Sequence, residues 1–173
     1  MNTYGKLIND HTLEFERLLP GPIDRVWEYI TDADKRALWF AGGNMDSHHG
    51  GKVEYQFDHK RLSPEPDPIP DKYKDLEGGM TSVADVLTYD PPHLLIIGWE
   101  GGEVTFKLEE FNDQVKLTLT HSNLPTDREK RVGTMAGWHT HLDILVDRVT
   151  GKDPKGFWGV HARMEIEYTK KFF

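Results

Sequence analysis

From Val53 onward the chain changes its hydrophobic period only once. Val53, Tyr55 and Phe57 alternate with polar residues, Val83 to Tyr89 is rich in β-formers, and Leu94 to Trp99 is almost wholly apolar. Val104, Phe106 and Leu108 alternate again, as do Val115, Leu117 and Leu119. This is the period of strands with one buried face. Past Leu124-Pro125 the spacing becomes three and four. Met135, Trp138, Leu142, Leu145 and Val149 form one apolar stripe on a helix opened by Thr126 or Asp127 and ended by Gly151. Strands followed by a single long amphipathic helix bury both apolar faces most simply when the sheet curls around the helix. The predicted class is α+β: a curved antiparallel β-sheet wrapped around a long C-terminal helix.

The connections support an antiparallel meander, because Asp90-Pro91-Pro92, Gly101-Gly102 and Asn112-Asp113 are short turn signals. An earlier strand is predicted from His11 to Leu18, where Leu13 and Phe15 share a face, which makes about six strands. Two short helices follow it. Ile23, Val26, Trp27 and Ile30 mark the first, begun by Pro22; Thr31 or Asp32 caps the second, which carries Leu38, Trp39 and Phe40 and stops at Gly42-Gly43. One connection departs from the pattern. Asp58 to Gly79 holds Pro64, Pro66, Pro68 and Pro70 among charged residues, resists both helix and ladder, and suggests a lid. After the Pro154 to Gly156 break, Phe157, Val160, Met164 and Tyr168 predict a further amphipathic helix, whose apolar stripe would offer a homodimer surface if left uncovered.

At 173 residues, 37% hydrophobic and 29% charged, the chain reads as a single domain, with a core at about 11–150 and a helical extension at 154–173. The absence of cysteine excludes disulfides, thiolate metal sites and thiol nucleophiles. A net charge of -8 without a basic stripe argues against nucleic acid. No segment approaches the ~20 apolar residues of a membrane span, and MNTYGKLIND lacks the pattern of a signal peptide, so the expected location is cytoplasmic.

Several of these pieces, taken in order, carry a resemblance. They are Leu38-Trp39-Phe40, Gly50-Gly51-Lys52-Val53, Asp90-Pro91-Pro92, Trp99, Val104 with Phe106 and Leu108, Leu117-Thr118-Leu119-Thr120-His121, Leu124-Pro125, and Gly137-Trp138 followed by Leu142 and Leu145. From Leu13 to Val149 the chain resembles the START-like helix-grip superfamily (SRPBCC), and within it the homologues of the activator of the ninety-kilodalton heat-shock protein ATPase. The resemblance implies a cavity between sheet and long helix, used across the superfamily for apolar molecules, and in the namesake branch the regulation of a chaperone ATPase. It implies no particular reaction. The Asp58 to Gly79 segment and the extension beyond Gly151 depart from that branch.

Candidate ligand-binding residues are the aromatic side chains that should point inward: Trp39, Phe40, Tyr55, Phe57, Trp99, Phe106 and Trp138, with Leu142 on the long helix and His121 at the cavity end of its strand. Core packing accounts for the same aromatic pattern, and a turn-holding histidine accounts for His121. His139 and Asp143 share a helix face and would make a carboxylate-oriented imidazole, with His141 on the other flank, although surface pairs at this spacing are common. Asp46, His48 and His49 offer metal-ligand atom types, but neighbouring histidines diverge and a solvated loop fits better. Among Glu54, Glu100, Glu103, Glu109 and Glu110 no spacing pairs two carboxylates. No catalytic residue, metal or cofactor is assigned. The expected function is binding of a small hydrophobic or aromatic molecule, the alternatives being a protein-interaction module regulating a chaperone ATPase and a cyclase or hydratase-type enzyme using the same cavity.

Overall fold

The computed structural model describes residues 2–173. Its strands are β1 (Lys6–Asn9), β2 (Thr12–Pro20), β3 (Lys52–Phe57), β4 (Met80–Asp90), β5 (Leu94–Trp99), β6 (Gly102–Phe111) and β7 (Gln114–His121). The helices are α1 (Ile23–Thr31), α2 (Ala33–Ala37), α3 (Arg128–Val149) and α4 (Phe157–Phe172). All strand pairs are antiparallel in one curved sheet of order β1-β2-β7-β6-β5-β4-β3, so β3 to β7 form the expected meander and β2 closes onto β7. Glu100 and Gly101 both take positive φ, joining β5 to β6 through the two-residue turn whose twist matches a hairpin. The sheet has seven strands rather than six, because Lys6–Asn9 adds an edge to β2. The short helices follow β2; Pro22 is the residue before α1 and Asp32 caps α2, accepting from the amides of Asp34 and Lys35.

The other edge, β3, is shielded by the chain that follows α2, through bridges from Gly42 to Gln56 and from Met45 to Val53. Only glycine fits at Gly43. Its φ is +97°, and a Cβ there would stand 2.0 Å from the Glu54 carbonyl oxygen.

The long helix is buried nearly all round. Its expected stripe of Met135, Trp138, Leu142, Leu145 and Val149 meets the sheet side, and His139, Thr140, His141 and Ile144 are buried as well. The second cover is α4, whose Phe157, Trp158, His161, Met164 and Tyr168 are buried against the rest of the chain. This helix therefore completes the core, and its apolar stripe is already occupied within one chain, which removes the stated basis for a homodimer surface.

The proline-rich segment is ordered by contacts with α4 instead of closing freely as a lid. It forms two 3-10 turns, at His59–Arg61 and Asp71–Leu76. No side chain of its own caps the start of α4. Asp67 does so from a distance, accepting from the amides of Trp158 at 2.7 Å and Gly159 at 3.2 Å, while Glu65 accepts from Gly156 at 3.1 Å. Ser63 donates to the Pro154 carbonyl, and Lys72 and Tyr73 both donate to Glu165.

Candidate functional site

A hollow of about 920 Å³ opens at one end of the grip, within the size range of small-molecule sites. Phe57 and Trp99 line it from the sheet, Trp138 from α3 and Phe40 from the turn after α2; His59 and Tyr73 come from the proline-rich segment; Phe157, Trp158 and His161 come from the first turns of α4. Its mouth carries Lys72, Lys130, Glu100, Asp127 and Glu129, a mixed set of charges. Phe40 and Trp138 stack with centroids 5.1 Å apart and an interplanar angle of 20°. The space owes much to missing side chains. Gly133 and Gly137, one turn apart inside α3, both face the hollow, and a Cβ on Gly137 would meet nothing within 4 Å.

Of the residues singled out from sequence, Phe40, Phe57, Trp99, His121 and Trp138 border this hollow. Trp39, Tyr55, Phe106 and Leu142 are instead packed in the core. The Trp39 indole is fixed there by a 2.6 Å bond to the Tyr29 carbonyl. His141 of α3 joins the lining, as do His59, Tyr73, Phe157, Trp158 and His161, whose sequence signal is a cluster of rings in two segments that otherwise look like an insertion and a tail.

His121 and His141 are held in defined tautomers. The Trp138 indole N–H donates to His121 Nδ1 at 2.8 Å, and His141 Nδ1 lies 2.8 Å from the Trp39 carbonyl oxygen. Burial pulls His121 and His59 down to about 4 and His141 to about 3, and it lowers His161 too. All four rings are therefore neutral at pH 7. Linkage gives the sign: between the unfolded value near 6.5 and these folded values, the unfolded chain binds more protons, so stability is full above about pH 6.5 and falls as the pH drops toward 4. His141→Phe should make the pH slope of the unfolding free energy shallower by up to ~1.4 kcal/mol per pH unit in that window, measured by urea titrations at half-unit steps. An unchanged slope would show that His141 is protonated in the folded chain.

The His139–Asp143 pair is built, but away from the hollow. Tyr168 accepts from the Gly5 amide and donates to His139 Nδ1, both at 2.8 Å. His139 Nε2 lies 3.3 Å from Asp143, which also accepts from buried Arg17 at 3.0 Å. His139 and His141 are both buried, because α4 and the proline-rich segment cover the flanks on which they stand. The network ties the residue before β1 to β2, α3 and α4. In the Asp46-His48-His49 loop, Asp46 accepts from the Lys52 amide, and the His48 and His49 rings bond to the carbonyls of His49 and Leu87. Among the described residues no group of three or more His, Cys, Asp or Glu side chains gathers to hold a metal ion. Of the five glutamates singled out from sequence, Glu109 pairs with Lys107 and Lys116, and Glu100 is the one that reaches the hollow, at its rim. Among the described residues no helix is long and apolar enough to cross a membrane.

The family described as Activator of Hsp90 ATPase homolog 1-like protein matches residues 20–150, leaving β1, all of β2 but Pro20, and α4 outside the match. A protein of Bordetella parapertussis, solved in solution, is 36% identical, with 99% of this chain and 92% of that chain covered at a TM-score of 0.81. CalU16 from Micromonospora echinospora is 22% identical over 92% of this chain and 86% of its own, with a TM-score of 0.65. The Aha1 dimer from Colwellia psychrerythraea is 16% identical over 80% and 95%, with a TM-score of 0.61. No curated protein matches the chain.

Proposed function

We propose, for a chain that belongs to the Activator of Hsp90 ATPase homolog 1-like family, that it binds a small apolar or aromatic molecule in the hollow at the end of the grip. The observation that carries this is Gly137. A glycine inside a helix costs about 1 kcal/mol relative to alanine, and this one has no close-packing reason, since a Cβ on it would enter open space. The space it leaves is walled by the Phe40–Trp138 stack, Trp99 and the aromatic start of α4.

The test has two parts. Native mass spectra of gently purified protein should show a retained small molecule absent from the denatured chain. Fluorenone, an aryl ketone, should quench the tryptophan fluorescence saturably. Gly137→Leu should abolish both signals while keeping a cooperative thermal transition, because its side chain occupies the space a ligand needs. Gly137→Ala should raise stability by ~0.5–1 kcal/mol. A wild-type chain that retains nothing and is not quenched sinks the reading and directs attention to protein partners, such as the chaperone that the family's name indicates.

A further inference from the structure

Four imidazoles stand around a hollow walled largely by aromatic rings, and among the described residues each has a ring nitrogen without a hydrogen-bond partner. For His59 and His161 the unpartnered atom is Nδ1, buried in both. Those two atoms are closed off from the hollow and stay unpaired whatever occupies it; an occupant can meet only the second ring nitrogens of His121 and His141, and a wholly apolar one would leave those unsatisfied, which buried polar groups rarely are. For His121 and His141 the partnered atoms fix the polarity of the free ones. An indole N–H can only donate, so His121 Nδ1, 2.8 Å from Trp138 Nε1, is a bare acceptor and a neutral ring carries its proton on Nε2. A carbonyl oxygen can only accept, so His141 Nδ1, 2.8 Å from the Trp39 oxygen, carries the proton and its Nε2 is a lone pair. Burial keeps both rings uncharged, as their depressed pKa values reflect. The hollow thus holds one donor and one acceptor of opposite sense, separated by the flat faces of Phe40 and Trp138.

We infer that the ligand is an uncharged, planar aromatic molecule with two polar ends, a carbonyl-type acceptor met by His121 Nε2–H and a hydroxyl donor met by the Nε2 lone pair of His141. The assignment rests on the reading that the hollow takes a ligand. A charged carboxylate or ammonium is disfavoured, since neutral imidazoles offer it no counter-charge and the mouth is of mixed sign.

The test uses the full chain and a matched planar series: 2-hydroxyfluorenone with both groups, fluorenone with the carbonyl alone, 2-hydroxyfluorene with the hydroxyl alone, and fluorene with neither. Calorimetric titration should rank 2-hydroxyfluorenone tightest and fluorene at least tenfold weaker. His121→Phe should erase the gain from the carbonyl and keep the gain from the hydroxyl; His141→Phe should do the reverse. Long-range proton–nitrogen NMR of the ligand-free wild type reads the tautomers without any variant, and should find His121 Nδ1 and His141 Nε2 bare. Equal affinity across the series, or bare nitrogens at the opposite positions, overturns the polarity assignment and leaves the hollow as an apolar site. Failure of all four compounds to bind overturns the assignment together with the binding reading beneath it.

Discussion

A chain cut after Gly151 should lose its cooperative fold. The cut removes Phe157, Trp158, Met164 and Tyr168, all buried. At about 1.5–3 kcal/mol for each large apolar side chain taken out of water, the loss is roughly 6–12 kcal/mol. That equals most of the ~5–15 kcal/mol that holds an ordinary domain together. The cut also strips the second cover from α3, exposing His139 and His141, and leaves the Gly5 amide without the Tyr168 hydroxyl. Circular dichroism during heating should show no sharp transition, or the protein should aggregate during purification. A soluble truncated chain melting within about 5 °C of the full one, a shift of only about 1–2 kcal/mol, would show α4 to be an appendage.

The second large effect should come from Arg36→Met. Arg36 is 1% exposed and has no carboxylate partner. Its guanidinium donates to the carbonyls of Thr31 and Ala41 at 2.9 Å and also to those of Gly42 and Gly43, and it lies over the Tyr55 ring. A single side chain thus gathers the carbonyls on both sides of the Trp39-Phe40 pair and sets where Phe40 meets the hollow. Methionine fills similar space and donates nothing, so several carbonyls lose their donor. At ~1–3 kcal/mol for each group left unsatisfied, the expected cost is about 4 kcal/mol or more. In urea this lowers the midpoint by roughly 2 M for a typical dependence on denaturant. Lys35→Ala, one residue away but in an exposed pair with Glu28, should change stability by no more than ~0.5 kcal/mol. Equal effects of the two substitutions would mean that the carbonyls around Arg36 find water instead.

The contrast between these neighbours shows what the sequence made legible. Strands β2 to β7 could be read because burial against the core imposes a period on their residues, and α3 because its apolar side chains keep to one stripe although its polar His139, Thr140 and His141 are buried as well. Strand β1 could not: Lys6, Ile8 and Asn9 are exposed and Leu7 only partly buried, so pairing to β2 leaves no alternation to detect. Arg36 looks like any surface arginine, since its role depends on carbonyls that come together only once α2 turns into β3. The burial of His139 and His141 is hidden from the sequence for a related reason. Their burial is imposed by α4, whose own pattern was visible but whose docking surface was not. The hollow followed the same division. Its sheet-side aromatics stand on elements with a clear period, whereas His59, Tyr73, Phe157, Trp158 and His161 come from the two segments where the family pattern offers no guide.

Asp67 and the start of α4 have a consequence for descent. The proline-rich segment spends its acidic side chains on the first amides of a helix about ninety residues further along the chain, and that helix has no cap of its own. Neither piece is self-sufficient, so an ancestor that gained or lost one alone would have carried either an uncapped helix or a loop with nothing to hold. Insertion and extension should therefore be inherited as a pair, present together or missing together in each lineage of the family.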